Sequence, residues 1–145
     1  MKHIFKFIGL IVTVVIVTSA CETNPSLQKY YADSKENSEF ISVDLPSSIL
    51  QLKDTDASKD IKNTLKTIKK VNFLALQLND TNKELFNSEK QKVKAILKNP
   101  KYKQLIRMNI GSGNITVNYL GKEDAIDEVV IFGADSNKGF ALVEY

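Results

Sequence analysis

The sequence predicts an α+β fold, a two-layer sandwich in which a mostly antiparallel sheet of about five strands carries two main helices on one face. Three observations support this fold class. Two stretches repeat apolar residues at helical spacing, one stretch is apolar at nearly every position, and the C-terminal part alternates apolar and polar residues between turns. Because helices and strands occur in separate runs, the elements are expected to segregate into two layers.

The chain is expected to have three parts, namely a signal peptide over residues 1–20, a lipidated cysteine with a flexible tether over residues 21–38, and one folded domain over residues 39–145. The composition, with 43% hydrophobic and 26% charged residues, is that of an ordinary globular domain. Residues 22–38 are polar, contain Pro25 and show no sustained periodicity, which favours a tether. The alternative to a fully flexible tether is that Tyr30 and Tyr31 pack on the domain.

Two main helices are predicted in the folded part, together with a short helix that begins near Pro46. The first main helix begins at Ser58, a good N-cap residue, and continues through apolar residues spaced i, i+4, i+7. These are Ile61, Leu65 and Ile68. The second begins at Ser88, where Gln91 completes a capping box, and ends at Asn99 and Pro100.

The strand predictions begin with a short extended piece over residues 40–43, followed by VNFLALQL over residues 71–78. The second stretch is apolar on both alternating faces, which is typical of a central strand. Four further strands then follow one another as a meander joined by short turns. Their apolar residues fall at 106–110, 115–119, 129–132 and 140–145.

The N-terminus has the pattern of an export signal. Lys2, His3 and Lys6 give it a positive head, and residues 7–20 carry no charge. This run is shorter than the roughly 20 residues that cross a bilayer, and it ends in small residues. Cys21, the only cysteine, follows directly, so the segment resembles a bacterial lipoprotein signal, in which Cys21 would carry a diacylglycerol. A plain secretory signal with a free thiol is the alternative.

Several classes of chemistry are excluded by composition if the chain is processed in this way. His3 is the only histidine and would be removed, and Cys21 would be acylated, so Ser-His-Asp and Cys-His catalysts and an ordinary zinc site cannot be built. No glycine motif for a nucleotide is present. DTDASKD lacks the glycine and the terminal glutamate of a calcium loop. We therefore predict no cofactor and no metal.

Carboxylates provide the one remaining catalytic hypothesis. Asp124, Asp127 and Glu128 lie close together in sequence, and paired carboxylates hydrolyse glycosides. An enzyme of this kind would use acids such as Asp124 and Glu128 on envelope glycan. Because these residues fall in a polar loop and a strand start, a solvated turn is the favoured interpretation.

Lysines are abundant on and near the predicted helices. We interpret them first as the solvated exterior of the helices, and second as a surface that contacts anionic lipid head groups or envelope polysaccharide. The candidates are Lys62, Lys66, Lys69, Lys90 and Lys94. Nucleic acid is not expected as a partner, because Arg107 is the only arginine and no aromatic stacking array is present.

Three stretches together resemble a known family. They are FISVDLPSSIL, the strand VNFLALQL behind a lysine-rich helix, and the closing IDEVVIFGADSNKGFALVEY. With the lipoprotein start, they are similar to the short envelope lipoproteins of Bacteroidota grouped as domain of unknown function 4252, over about residues 38–145. The resemblance implies an exported, lipid-anchored α+β domain and no catalytic residues.

The expected function is therefore a non-enzymatic binding or structural module, lipid-anchored in the cell envelope. The resemblance also implies a location, because surface-exported lipoproteins of such bacteria often carry an acidic run directly after the cysteine. Here Glu22 is the only acidic residue in that place, which favours the outer membrane with the domain facing the periplasm. Partners are expected to be the membrane, through the lipid, and an envelope protein or polysaccharide. Besides the hydrolase, the alternative is an envelope-stress component that binds peptide at a sheet edge, at residues 140–145.

Overall fold

The computed structural model describes residues 26–46, 48, 67 and 69–145. These residues form two helices and six strands, which confirms the α+β class, although the sheet has one strand more than the predicted five or so. In chain order the elements are α1 (Leu27–Lys35), β1 (Phe40–Pro46), β2 (Lys70–Gln77), α2 (Lys83–Leu97), β3 (Lys103–Ile110), β4 (Gly113–Lys122), β5 (Ala125–Asp135) and β6 (Gly139–Glu144).

The six strands form one sheet in the order β1-β2-β6-β5-β4-β3, and each neighbouring pair is antiparallel. The last four strands form the predicted meander. After the meander the chain returns to the first hairpin, because β6 pairs with β2 on one side and with β5 on the other. The C-terminal strand is therefore interior, and β1 and β3 are the edges of the sheet.

Helix α1 lies in the segment that the sequence predicted to be a tether. Ser26 caps it, since its hydroxyl accepts a hydrogen bond from the Lys29 amide at 3.2 Å. Four residues spaced along one helical face are buried, namely Leu27, Tyr30, Tyr31 and Ser34. The prediction of a flexible tether is therefore wrong for residues 27–35, because the apolar stripe of this polar helix is narrow but sufficient to anchor it on the sheet.

Helix α2 begins at Lys83, five residues before the predicted start at Ser88. Its N-cap is Asn82, whose side chain donates to the Gln77 carbonyl at 2.9 Å instead of capping the helix. The earlier start brings Phe86 into the helix, where it is buried. Ser88 lies inside the helix, so its capping box with Gln91 does not form. Packing of Phe86 outweighs the local capping signal.

The first predicted main helix, from Ser58 to Ile68, lies outside the described residues except for Thr67, and so does most of the short helix near Pro46. Pro46 itself is the last residue of β1, so this strand is three residues longer than the predicted extended piece over residues 40–43. A proline is tolerated here because β1 is an edge strand and the missing N–H breaks no interior ladder.

The hydrophobic core lies between the two helices and one face of the sheet, the covered face. Leu74, Val130 and Leu142 of three neighbouring strands are fully buried there, as are Leu27 of α1 and Val93 of α2. At the centre, the ring of Phe140 contacts three other aromatic rings at centroid distances of 5.7 to 6.2 Å. These are Phe40, Phe86 and Phe132. Edge-to-face and tilted contacts of this kind add to the burial energy.

Gly139 lets β6 begin directly against β2. Its φ of +126° lies in a region that L side chains rarely adopt, and a Cβ at this position would overlap the Leu76 carbonyl oxygen. In the described part of the chain, no helix is long and apolar enough to cross a membrane.

Candidate functional site

The face of the sheet opposite the core carries exposed apolar side chains, and we call it the open face. Cross-strand partners point to the same side of a sheet, so the register places every second side chain of β1 and β3 on this face, together with apolar residues of the strands between them. The most exposed members are Ile41 (54%), Val43 (40%), Ile106 (44%), Met108 (44%) and Ile110 (60%). Contiguous apolar surface of this kind marks an interaction site.

A groove crosses the open face, and its floor consists of residues with almost no side chain. Ala75, Ala141 and Gly133 are direct neighbours in register on β2, β6 and β5. Ile41 flanks these three residues on one side and Ile115 on the other. The resulting cavity of about 540 Å³, the open-face groove, is within the size range of ligand pockets. Its lining suits an apolar group.

Two charged residues of opposite sign, Asp135 and Lys138, line the end of this groove. The Asp135 carboxylate accepts hydrogen bonds from the Asn137 amide at 2.8 Å and from the Ser112 hydroxyl at 2.9 Å. Both hydrogen bonds hold the pKa of the Asp135 carboxyl below its ordinary value of 3.8, and the bond from the Asn137 amide has the larger effect. The groove therefore combines an apolar floor with one charge of each sign at its rim, and hydrogen bonds fix the negative one, Asp135.

A second cavity, of about 590 Å³, lies at the other end of the sheet and contains a carboxylate pair. Glu128 of β5 and Glu144 of β6 are neighbours there, close enough to share a hydrogen bond. Burial, and then the like charge of Glu144, raises the pKa of the Glu128 carboxyl above its ordinary 4.5. Glu128 therefore favours the protonated form more than an exposed glutamate does.

Polar groups from α1, from β2 and from the loop before β3 surround this pair. Gln28 of α1 donates to the Glu128 carboxylate at 3.4 Å, and Asn72 of β2 donates to Glu144 at 3.3 Å. Tyr102 is only 6% exposed beside Glu128, and its hydroxyl has no geometrically good hydrogen bond. Burial is also the largest of the effects that raise the pKa of the Tyr102 hydroxyl. Burial thus favours the neutral form of both the phenol and the carboxyl group.

The structure does not place the predicted acids Asp124 and Glu128 side by side. Asp124 is exposed in the turn before β5, and Glu128 lies at least three strand residues further on, which is roughly 10 Å. Asp127 lines the cavity but is exposed. The carboxylate that meets Glu128 is Glu144, which the sequence analysis missed. Pairing of β5 with β6 decides this contact, and no local pattern indicates it.

The candidate lysines have different positions. Lys62 and Lys66 lie outside the described residues, and Lys69 is exposed just before β2. On α2, Lys90 and Lys94 are partly buried, and the Lys90 ammonium lies 4.7 Å from the centre of the Phe86 ring. A contact of this kind contributes to local packing. A role of these lysines on an anionic surface stays a prediction.

Two other predictions concern the ends of the chain. Cys21 lies outside the described residues, so its lipidation stays a prediction. Peptide binding at the edge of residues 140–145 is wrong, because both edges of β6 are already paired, with β2 and with β5. In the part of the chain that the structure describes, the edges at which a peptide could extend this sheet are β1 and β3. Among the described residues, no group of three or more potential metal ligands is found.

Comparison with known proteins gives one result. Residues 30–145 match the family described as Domain of unknown function (DUF4252). The matched range includes the second half of α1, in agreement with the burial of that helix. No curated protein and no solved structure matches the chain.

Proposed function

We propose that this chain, which belongs to the DUF4252 family, is a non-enzymatic binding module of the cell envelope that holds a protein partner on its open face. In this proposal Cys21 carries the lipid that attaches the module to the outer membrane, with the domain facing the periplasm. The family has no assigned function, so the proposal rests on the chain's own surface.

The observation that carries the proposal is the contrast between the two sides of one sheet. The covered face is closed by α1 and α2, whereas the open face exposes five large aliphatic side chains at 40% or more. The free energy gained by removing such surface from water is roughly 25 cal/mol per Å². Burial of the open face by a partner would stabilise the complex by this free energy. Because the lining is apolar, it favours a protein over a polysaccharide as the partner.

The groove itself allows a direct test. A Cβ on Gly133 would meet only the Ile115 side chain, at an ordinary 3.6 Å, so Gly133→Val should fill the groove floor without disturbing the strand. The tagged, membrane-anchored chain would be crosslinked in its native envelope, and bound proteins identified. We expect a partner that is recovered with the wild type and reduced about tenfold with Gly133→Val, a loss of roughly 1.4 kcal/mol.

Gln91→Ala provides the matched control, because Gln91 is exposed on α2 at the far side of the sheet. Recovery of the partner should be unchanged in this variant. Equal recovery with Gly133→Val and with Gln91→Ala would mean that the open-face groove is not the binding site.

The lipid anchor has a separate test, motivated by the small residues before Cys21. Cells fed labelled palmitate should incorporate label into the wild-type chain and not into Cys21→Ala. The variant should also leave the membrane fraction, because stable attachment needs two or three buried acyl chains. An unlabelled wild type would remove the anchor from the proposal and leave the binding module.

Hydrolysis of envelope glycan is the second candidate, now with Glu128 and Glu144. The raised pKa of the Glu128 carboxyl suits a general acid, and the cavity beside it admits a ligand. Against this, carboxyl groups in hydrogen-bonding contact are closer than the roughly 5 Å of retaining glycosidases. Purified chain incubated with envelope glycan should show turnover that Glu128→Gln and Glu144→Gln abolish if this candidate is right.

A further inference from the structure

The two edge strands differ in how well they are protected from pairing. In β1, Asp44 forms ion pairs with Lys35 of α1 at 2.6 Å and with Lys70 at 3.6 Å, and Pro46 ends the strand. In β3 all eight residues are exposed and no proline occurs. Charges, prolines and covering helices are the usual protection of sheet edges. Edge β3 has little of this protection from Ile106 onward, where its register is regular.

We propose that β3 pairs with β3 of a second copy of this chain, antiparallel and in a register centred on Met108. In this register Met108 faces Met108 of the second copy, and Ile106 faces its Ile110. On the opposite side of the sheet Arg107 faces Asn109. Apolar residues thus meet apolar residues, and no like charges face each other directly.

Neighbouring registers are less favourable. Moving the centre to Arg107 sets two guanidinium groups directly opposite each other, which is destabilising in a sheet. Moving it to Ile106 brings in the β-bulge between Gln104 and Ile106, where the extra residue disrupts a regular ladder. The charge pattern and the bulge of β3 together favour the register centred on Met108 over those centred on Arg107 and Ile106.

The ends of the strand are complementary as well. The antiparallel arrangement directs Lys103, at the start of β3, towards the turn of the second copy that follows Ile110. That turn contains Ser112, whose hydroxyl donates to the Asp135 carboxylate at 2.9 Å. The positive charge of Lys103 therefore approaches the turn beside the negative charge of Asp135 in the second copy. Two-fold symmetry repeats this contact at the other end of the paired strands.

The same register joins the two open faces. On the open face Met108 is paired with Ile115, which is next to Gly133 in the row that forms the groove floor. With Met108 on the two-fold axis, this row continues directly into the same row of the second copy. The dimer would have one continuous sheet and one continuous apolar surface. The inference depends on the β3 edge alone and not on what the open face binds.

Cysteine crosslinking tests both the pairing and its register. In the full chain with Cys21→Ser, so that the introduced thiol is the only one, Met108→Cys would be oxidised with diamide. Directly opposite residues of antiparallel strands have Cβ atoms about 4.5 to 5.5 Å apart, which a small adjustment brings to disulfide distance. We expect a reducible covalent dimer.

Ile110→Cys is the matched control, because this residue lies on the same strand and face and is even more exposed, at 60%. In the proposed register the two copies of residue 110 are offset by four residues, roughly 13 Å, too far for a disulfide. We expect about tenfold less crosslinking. Equal crosslinking of the two variants, or a disulfide that joins the Met108→Cys variant to a different protein, would overturn the proposal.

Sedimentation velocity gives an independent measurement on the full chain without introduced cysteines. We expect a dimer that Met108→Lys dissociates, because it places two lysines opposite each other on the axis, and that Val43→Lys on the β1 edge leaves intact. Circular dichroism would check that both variants are folded. A wild type that stays monomeric at all concentrations overturns the proposal, even if the open face still binds its partner.

Discussion

The two faces of the sheet are built from the same strands but have opposite surroundings. On the covered face, Leu74 and Leu142 are cross-strand partners and are both fully buried. On the open face, Ile41 and Met108 lie at the two ends of one row and are about half exposed. Both faces are apolar, so hydrophobicity of a strand does not tell which face the protein itself covers. Among the described elements, α1 and α2 both pack against the covered face.

The comparison predicts a large loss of stability for truncation on the covered face. Leu142→Ala removes a fully buried side chain at the centre of the core. The lost transfer energy and the remaining cavity should cost about 3 kcal/mol in the free energy of unfolding, measured by urea denaturation. A loss below about 1 kcal/mol would show that the core does not lie where the covered face places it.

Helix α1 should contribute almost as much, although it lies in the part of the chain expected to be a tether. Leu27 is fully buried, so Leu27→Ala should lower the free energy of unfolding by about 2 kcal/mol. Ala32→Gln, on the exposed side of the same helix, should change it by less than about 0.5 kcal/mol. Equal effects of the two substitutions would contradict the packing of α1 on the sheet.

Glu128 gives the covered face a pH dependence. Its pKa is raised in the folded chain, so the folded state binds the proton more tightly than the unfolded state does. The resulting stabilisation is present at acidic pH and is lost as the pH rises from 4.5, the ordinary value, through the raised pKa. In Glu128→Gln the side chain is neutral at every pH, so stability is no longer lost as the pH rises. Its amide oxygen can still accept the hydrogen bond from Gln28.

We therefore expect Glu128→Gln to raise the free energy of unfolding at pH 7 by roughly 0.2–1 kcal/mol, the range of solvent-screened pairs, and to have little effect near pH 3. Glu123→Gln, at an exposed turn position, is the control, and it should change the free energy of unfolding at pH 7 by less than about 0.5 kcal/mol. Destabilisation by Glu128→Gln at pH 7 would indicate that the ionised carboxylate is needed in the folded chain.

The smallest effect is expected on the open face. Val43 is 40% exposed on β1, and Val43→Thr keeps its shape and its preference for strands. The free energy of unfolding should change by less than about 0.5 kcal/mol. A cost near that of Leu142→Ala would mean that the open face is covered within the chain, and the proposed binding surface would then be lost.

Local patterns of the sequence were enough for the fold class and the meander. The alternating residues around Ile115 and Val117 correctly predict β4, and VNFLALQL correctly predicts β2 next to the interior of the sheet. Such patterns report a period of two or of 3.6 within one element, and each element carries its own. The prediction was weaker where a short helix has only a narrow apolar stripe, as α1 does.

The contacts that create the candidate sites were decided by the tertiary structure alone. Glu128 meets Glu144, and Ala75, Ala141 and Gly133 form one groove floor, because β6 returns from the meander to pair with β2. Strand order and register join residues that are far apart in sequence, and a shift of one residue would turn each side chain to the other face. The sequence alone determined which faces are apolar, whereas the packing of the helices determined which face is left open.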